Sequence, residues 1–462
     1  MQRELLVYID LNGQPVLVGR LWAREQRGRE SSTFAYDPSW LQRRGAFALS
    51  TALMLTSGQF HSAKGLPNVF SDTAPDSWGR KLMARRERAR AKQAKTQPRT
   101  LFDIDYLAGV DDQSRMGALR FKDADGAAFL TVTGAPVPPL IDLPRLLSAT
   151  ARIERDQETD EDLLLVLAPG TSLGGARPKA TVRDTDGRLL IAKFPKRGDD
   201  WPVTLWEAVL LDLAARAGIT VPEWRLQSIA KKPVVLIKRF DRDAKGQRIP
   251  FMSAMTALDA TDHGEQHSYL EIVDAIRQIG SAPDKDLEEL WRRVVFSILV
   301  SNTDDHLRNH AFLHDGRGWR LSPVYDLNPC PTDIKPREHA LAIDEDDATA
   351  SIETALKVSA QFGLKIDRAR AVGAEVGAAV EQWRMIAKKH DITAAQIERM
   401  ASAFEHGDLR AVRLEKKSPK PQSKSGGAKT ARNKTAAEKA PSKLPTGKTK
   451  AAAGKSRTRN TR

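Results

Sequence analysis

From Leu287 to Leu299, the residues Leu287, Leu290, Trp291, Val294, Val295, Ile298 and Leu299 recur at steps of three and four. That is the 3.6-residue period of a helix with one buried face, expected here over 284–300. The stripe runs directly into Ser301-Asn302-Thr303-Asp304-Asp305-His306-Leu307-Arg308-Asn309-His310. A strand at 311–314, a turn at Asp315-Gly316-Arg317-Gly318 and a strand at 319–322 then lead to Tyr325-Asp326. A rigid core helix must therefore deliver polar side chains at its C-terminal end, and a hairpin must bring a second carboxylate back to them. Asn309 follows Asp304 by five residues, and Asp326 follows Asn309 by seventeen. This order suits phosphoryl transfer, in which one carboxylate faces an acceptor hydroxyl. An amide and a second carboxylate then share the magnesium that bridges the phosphates.

Upstream lies Ala168-Pro169-Gly170-Thr171-Ser172-Leu173-Gly174-Gly175-Ala176-Arg177-Pro178-Lys179-Ala180. Thr181-Val182-Arg183, a turn at Asp184-Thr185-Asp186-Gly187 and Leu189-Leu190-Ile191-Ala192-Lys193-Phe194 follow it. A Gly loop lets backbone N–H groups approach phosphates, and a strand lysine pairs with them in kinases. This is not a Walker A loop, because no Gly-Lys-Ser/Thr opens a helix. Alone, the loop reads as an ordinary hairpin turn and Lys193 as a solvated strand-end lysine. A helix is expected over 202–217, with Val203, Leu205, Trp206, Val209, Leu210, Leu213 and Ala214 on one stripe. Glu207 lies on it within reach of Lys193, although a surface glutamate is the default reading. Strands at 224–226 and 233–242 would form a pair running into an adenine-binding hinge that uses its backbone.

The N-terminal third begins with a hairpin, Leu5–Ile9 against Pro15–Gly19, turning at Asn12-Gly13. A basic helix over 78–95 follows Phe70-Ser71-Asp72-Thr73-Ala74-Pro75-Asp76-Ser77, with Asp76 or Ser77 as its cap. No catalytic constellation is legible before about residue 135. A helix is expected over 143–167, and others at 268–280, 350–362, 366–390 and 393–406. The divisions expected are 1–135, a linker and helix at 136–167, a catalytic domain at 168–410 and a tail at 416–462.

Charge is concentrated in that tail. Of the 73 Lys and Arg, 15 lie in 416–462 beside one acidic residue, Glu438, which leaves 58 basic and 58 acidic residues before it. The body is neutral, so the pI of about 9.7 is no sign that the folded part binds nucleic acid. The tail has almost no large apolar residue and is expected to be disordered. It is either a solvated extension or a source of salt-dependent, nonspecific nucleic-acid contact. The single cysteine, Cys330, excludes an internal disulfide and makes no Cys/His metal cluster. With no signal-peptide pattern and no apolar run of about 18 residues, the expectation is a cytoplasmic protein without membrane contact.

Singly, Asp304, His306, Asn309 and Asp326 could be loop or cap residues. A Gly loop, strand lysine, hinge-like strand, buried helix, Asp-x4-Asn and returning Asp in that order form a joint pattern. Two other readings compete with it. Asp304, His306 and Asp326 could ligate a hydrolytic metal, which leaves the Gly loop and Lys193 unexplained. The chain could also be a non-catalytic partner of a DNA-binding protein, which the complete Lys193, Asp304, Asn309 and Asp326 set opposes.

Five separated motifs resemble the HipA family of Ser/Thr kinases, the toxins of type II toxin–antitoxin modules. They are Ser172 to Lys179, Ala192-Lys193-Phe194-Pro195, Lys238-Arg239-Phe240-Asp241-Arg242, Asn302 to Asn309 and Tyr325-Asp326-Leu327-Asn328-Pro329. The stretches 70–80 and 105–121 are similar to the family's N-terminal subdomain. The resemblance implies an α+β, two-part kinase-like fold, with an N-terminal α/β subdomain and an α-rich C-terminal lobe. It implies ATP and Mg2+ as cofactors, Asp304 as catalytic base, and Asn309 and Asp326 as magnesium ligands. Gly174, Gly175, Ala176, Arg177, Pro178, Lys179 and Lys193 would surround the phosphates. Lys238, Arg239 and Phe240 would line the adenine site, and His306, Leu307, Arg308, Asn309 and Tyr325 would border the nucleotide. Ser172, or the adjacent Thr171, would be the autophosphorylated residue that switches the kinase off. The implied partners are a substrate in translation, such as an aminoacyl-tRNA synthetase, and a helix-turn-helix antitoxin that carries the complex to DNA. Growth arrest is the implied outcome.

Overall fold

The computed structural model describes residues 2–131, 137–167, 175, 177–261 and 265–415. Thr171, Ser172, Gly174 and Ala176 of the Gly loop, and the 416–462 tail, lie outside the described residues.

The Asn12-Gly13 turn joins β1 (Gln2–Leu11) to β2 (Gln14–Gln26). Both turn residues take left-handed φ, +53° and +79°, the two-residue turn whose twist matches the flanking strands. With β3 (Arg29–Tyr36), β4 (Phe60–Ser62) and β5 (Leu119–Asp123) they form a five-stranded sheet in the order β4-β3-β2-β1-β5. Leu5, Val7 and Ile9 alternate inward onto Phe34, Phe70 and Phe121, the period of a half-buried strand. The Ser77–Gln93 helix is capped by Asp76, whose Oδ1 accepts the Gly79 N–H at 2.9 Å. Arg90 and Lys92 in its last turn suit the negative end of the helix dipole.

A second sheet is antiparallel throughout, with β6 (Lys179–Arg183), β7 (Leu189–Lys193), β8 (Trp224–Ile229) and β9 (Lys232–Lys238) in the order β6-β7-β9-β8. One face packs on Leu143, Leu146, Leu147, Ile153, Leu163 and Val166. The single helix expected over 143–167 is two, Leu143–Ile153 and Asp160–Leu167. The chain reverses where Asp156 takes a φ of +55°. The new helix then starts with Thr159 and Asp162 exchanging side chain-to-backbone hydrogen bonds at 3.0 and 3.2 Å. Doubling back lets both apolar stripes reach one sheet, which a continuous helix would overshoot.

The largest core surrounds the Pro283–Leu299 helix. Its predicted stripe is buried throughout, and Trp291 Nε1 donates to the Ala369 carbonyl of the Ile366–Val380 helix at 3.3 Å. β10 (Phe251–Ser253), β11 (Ala311–His314) and β12 (Trp319–Leu321) make a small sheet beside it. The helix expected over 366–390 is divided into Ile366–Val380 and Trp383–Lys389. The break turns Trp383 inward to stack on Phe404 at 4.5 Å. The 350–362 and 393–406 regions each form a short helix followed by a 3-10 turn, and a further helix, Gly407–Glu415, was not anticipated. Among the described residues no helix is long and apolar enough to cross a membrane.

The N-terminal sheet region is fastened to both neighbours by polar contacts. Asp72 accepts the Ser253 N–H and Oγ–H at 2.8 and 2.7 Å. The fully buried Asp241 carboxylate accepts the Gly117 N–H at 2.7 Å and is paired with Arg239 and Arg242. Arg239 also donates to the Arg115 carbonyl at 3.1 Å.

Candidate active site

The Pro283–Leu299 helix ends at Val300, and Ser301 turns the chain away with a φ of +51°. The loop that follows is stitched to the chain beyond Asp326. Asn302 Oδ1 accepts the Asn328 N–H at 3.2 Å, and the Ser301 and Thr303 carbonyls each accept an N–H at 3.0 Å, from Cys330 and Ala340. Asp304 and Asp305 are neighbours with opposite fates. Asp304 is exposed, whereas Asp305 is 5% exposed and accepts from Tyr269 Oη at 2.7 Å and Ser297 Oγ at 3.0 Å. His310 Nε2 lies 3.1 Å from its other oxygen. Burial alone would raise the Asp305 carboxyl, but His310 and Tyr269 outweigh it and hold it well below the usual carboxylate range. Asp305 thus pins the loop from inside while Asp304 points to solvent.

Asn309 lies in a one-turn 3-10 helix, and its Nδ2 donates to the Asp304 carbonyl at 2.9 Å. That bond sets the amide orientation and leaves the buried Oδ1 with no hydrogen-bond partner among the described residues. An orphaned buried acceptor is costly unless something else binds it. Asp326 stands in the left-handed region, with φ at +60°, a strained backbone of the kind that collects at functional sites. Its Oδ1 accepts from Lys193 Nζ at 2.9 Å. Burial would raise its carboxyl, but the Lys193 and Lys179 ammonium groups hold it down at about 2. An ionised carboxylate and a free amide oxygen fit the oxygen-seeking chemistry of magnesium.

Lys193 ends β7 and is buried. Its ammonium reaches Glu207 Oε1 at 2.5 Å as well as Asp326. Burial alone would lower its pKa, but the two carboxylates outweigh it and keep the lysine above its ordinary value. Glu207 is therefore no surface glutamate. It is 4% exposed on the Val203–Arg216 helix and pairs with the strand lysine. Lys179 stands directly across from Lys193 in the β6–β7 register, so both ammonium groups enter on the same side of the sheet. Like charges in that position repel, and the array balances them with carboxylates. Gly175 takes a φ of +75°, and a Cβ there would sit 3.5 Å from Asp326 Oδ2. Its backbone thus closes on the same cluster.

Other predicted residues are more dispersed. Arg177 pairs with Asp199, and the Pro178 carbonyl accepts the Phe194 N–H at 3.0 Å. Lys238 extends to Glu223 at 2.6 Å. Arg239 turns its guanidinium into the buried contact with 114–116, so only its backbone is left for a base. Phe240 faces Tyr325 at 5.7 Å between ring centres, and Tyr325 Oη donates to the Arg308 carbonyl at 2.6 Å. Leu307 is buried in the core, and His306 Nδ1 is buried without a hydrogen-bond partner among the described residues. Arg308 is exposed beside these residues. The residues that sequence reasoning missed are Asp76, which contacts Lys179, and the Tyr269–Asp305–His310 group. Each depends on contacts between elements far apart in the chain.

Two family models match: a HipA-like C-terminal domain over 171–383 and a HipA N-terminal domain over 8–102. The chain belongs to the HipA family. Among curated proteins it is 25% identical over 319 residues to "Putative kinase Y4mE" of Sinorhizobium fredii, covering 64% of this chain and 71% of that one. It is 29% identical over 182 residues to a "Putative kinase" of Haemophilus influenzae, covering 34% of this chain and 52% of that one. Its fold matches a chain of the Shewanella oneidensis MR-1 toxin–antitoxin complex of HipA, HipB and operator DNA. That match has a TM-score of 0.62 at 14% identity and covers 89% of this chain and 96% of the other. The two-part kinase-like α+β architecture expected from the HipA resemblance is the one observed.

Proposed function

We propose that this HipA-family chain is an ATP- and magnesium-dependent serine/threonine protein kinase, the toxin of a type II toxin–antitoxin module. The observation that carries the reading is the buried Glu207–Lys193–Asp326 array, together with an Asn309 Oδ1 that has no hydrogen-bond partner among the described residues. Asp304 would accept the proton of an acceptor hydroxyl, which its exposure at the loop tip allows. Lys193, Lys179 and the Gly175 backbone would hold the phosphates in line. Asn309 and Asp326 would hold magnesium, which supplies charge neutralisation for the phosphates when bound. Catalysis on this reading is positioning plus preorganised electrostatics. The metal-hydrolase alternative loses support, because among the described residues no group of three His, Cys, Asp or Glu side chains is arranged to hold a metal.

Within this proposal, autophosphorylation at Ser172 would add charge to the Gly loop and rearrange it. The acceptor would be a translation protein such as an aminoacyl-tRNA synthetase. A helix-turn-helix antitoxin would bring the complex to DNA, a reading supported by the HipB and operator DNA in the Shewanella complex. The test is a phosphoproteomic comparison of cells expressing wild type and Asp304→Ala. Ser and Thr phosphosites that appear only with wild type, together with growth arrest, are expected. Equal phosphorylation and arrest with both chains would sink the assignment.

A further inference from the structure

Asp76 lies in the N-terminal third, where the sequence shows no catalytic pattern, yet its Oδ2 is 2.6 Å from Lys179 Nζ. The contact spans 103 residues, and both groups are enclosed, with side chains 2% exposed for Lys179 and 11% for Asp76. The other Asp76 oxygen caps the Ser77–Gln93 helix, so the carboxylate is held at a fixed point. Lys179 donates a second hydrogen bond to the Gly175 carbonyl at 3.0 Å. An ammonium has three donors, and among the described residues these two bonds leave one.

Charge balance points the same way. Lys179 and Lys193 face each other across β6 and β7. Glu207 and Asp326 both pair with Lys193, and among the described residues Asp76 is the one carboxylate within ion-pair distance of Lys179. We propose that Asp76 is a positioning residue for Lys179. It holds the ammonium against Gly175 with one donor free for the phosphates, so the N-terminal region completes the nucleotide site. The inference rests on the kinase reading and adds to it a residue from outside the catalytic domain.

The competing explanation is a structural staple between helix and sheet. Asp76→Asn separates the two, because the amide oxygen can still cap the helix while the charge that orients Lys179 is lost. Asp76→Ser serves as a second variant that also keeps a capping oxygen. The assay measures transfer of labelled γ-phosphate from MgATP to casein and to the chain itself. Binding of fluorescent mant-ATP and the urea midpoint are measured in parallel. Asp76→Asn should lower kcat about tenfold or more, because the phosphates meet a mis-aimed lysine. Mant-ATP should bind about two- to tenfold tighter, because a negative charge beside the phosphates has gone. In the Lys179→Met background, adding Asp76→Asn should change kcat by less than about twofold, since Asp76 then has nothing to aim. Unchanged kcat, losses that multiply in the double variant, or weaker mant-ATP binding with a lowered urea midpoint would each overturn the proposal. A wild type that binds mant-ATP but transfers no phosphate would sink the kinase reading by itself. Tighter nucleotide binding by Asp76→Asn would still place this carboxylate against the phosphates.

Discussion

Asp304 and Asp305 provide the sharpest prediction, because two adjacent identical side chains should fail in opposite ways. Asp305→Ala removes the acceptor shared by Tyr269 Oη at 2.7 Å and Ser297 Oγ at 3.0 Å, and the anion 3.1 Å from His310 Nε2. Tyr269 is fully buried, and His310 and Ser297 are each 2% exposed. Water therefore cannot replace the lost partner cheaply. Each buried donor left without its acceptor costs roughly 1–3 kcal/mol. Asp304 is exposed, and Asp304→Ala should change stability by no more than about 0.5 kcal/mol. Urea unfolding followed by tryptophan fluorescence measures both. Asp305→Ala should shift the midpoint far down and lower phosphoryl transfer through a loosened loop. Asp304→Ala should leave the midpoint in place, keep mant-ATP binding and abolish transfer. Equal midpoints for the two variants would refute the division of labour between them. So would transfer that survives in Asp304→Ala.

Glu207→Gln keeps the shape of the Lys193 partner but removes its charge. It should lower phosphoryl transfer by about tenfold, and unaltered kinetics would show that Asp326 alone orients Lys193. For pH dependence, burial pushes His339 and His406 down to about 4. The unfolded chain therefore binds more protons than the folded one below about pH 6.5, so stability falls as pH drops from there towards 4 and levels off below it. Each histidine contributes up to roughly 3 kcal/mol to that loss. Urea midpoints at pH 7 and 4.5 check this, and an identical pH slope in His339→Gln would remove His339 from the account. Truncation after Leu414 should leave transfer intact and lower nucleic-acid affinity at low salt. Equal affinity of the two forms would refute a role for the tail.

Much of the framework was legible because it is local. The Asn12-Gly13 turn, the stripe from Leu287 to Leu299 and the hairpin at 311–321 each follow from turn chemistry or periodicity within one short segment. The broken helices at 143–167 and 366–390 were not legible. In 366–390 the apolar spacing continues across the break, and in 143–167 the polar run 154–162 holds no Pro or Gly to stop a helix. Both reversals serve packing partners elsewhere, the second sheet in one case and Phe404 in the other.

At the site, the order Gly175, Lys179, Lys193, Asp304, Asn309, Asp326 is a property of the chain. Spacing alone shows that a helix end and a hairpin can bring a carboxylate, an amide and a second carboxylate together. Which charges are buried, and against what, belongs to the tertiary structure. Glu207 became the partner of Lys193 only because its helix packs against the second sheet, on β9. Arg239 turned from the hinge because Asp241 and the Ser114 and Arg115 carbonyls hold it. Asp76 reached Lys179 across 103 residues. Periodicity governs which face of an element is apolar, but a buried charge depends on partners that only the packed chain supplies.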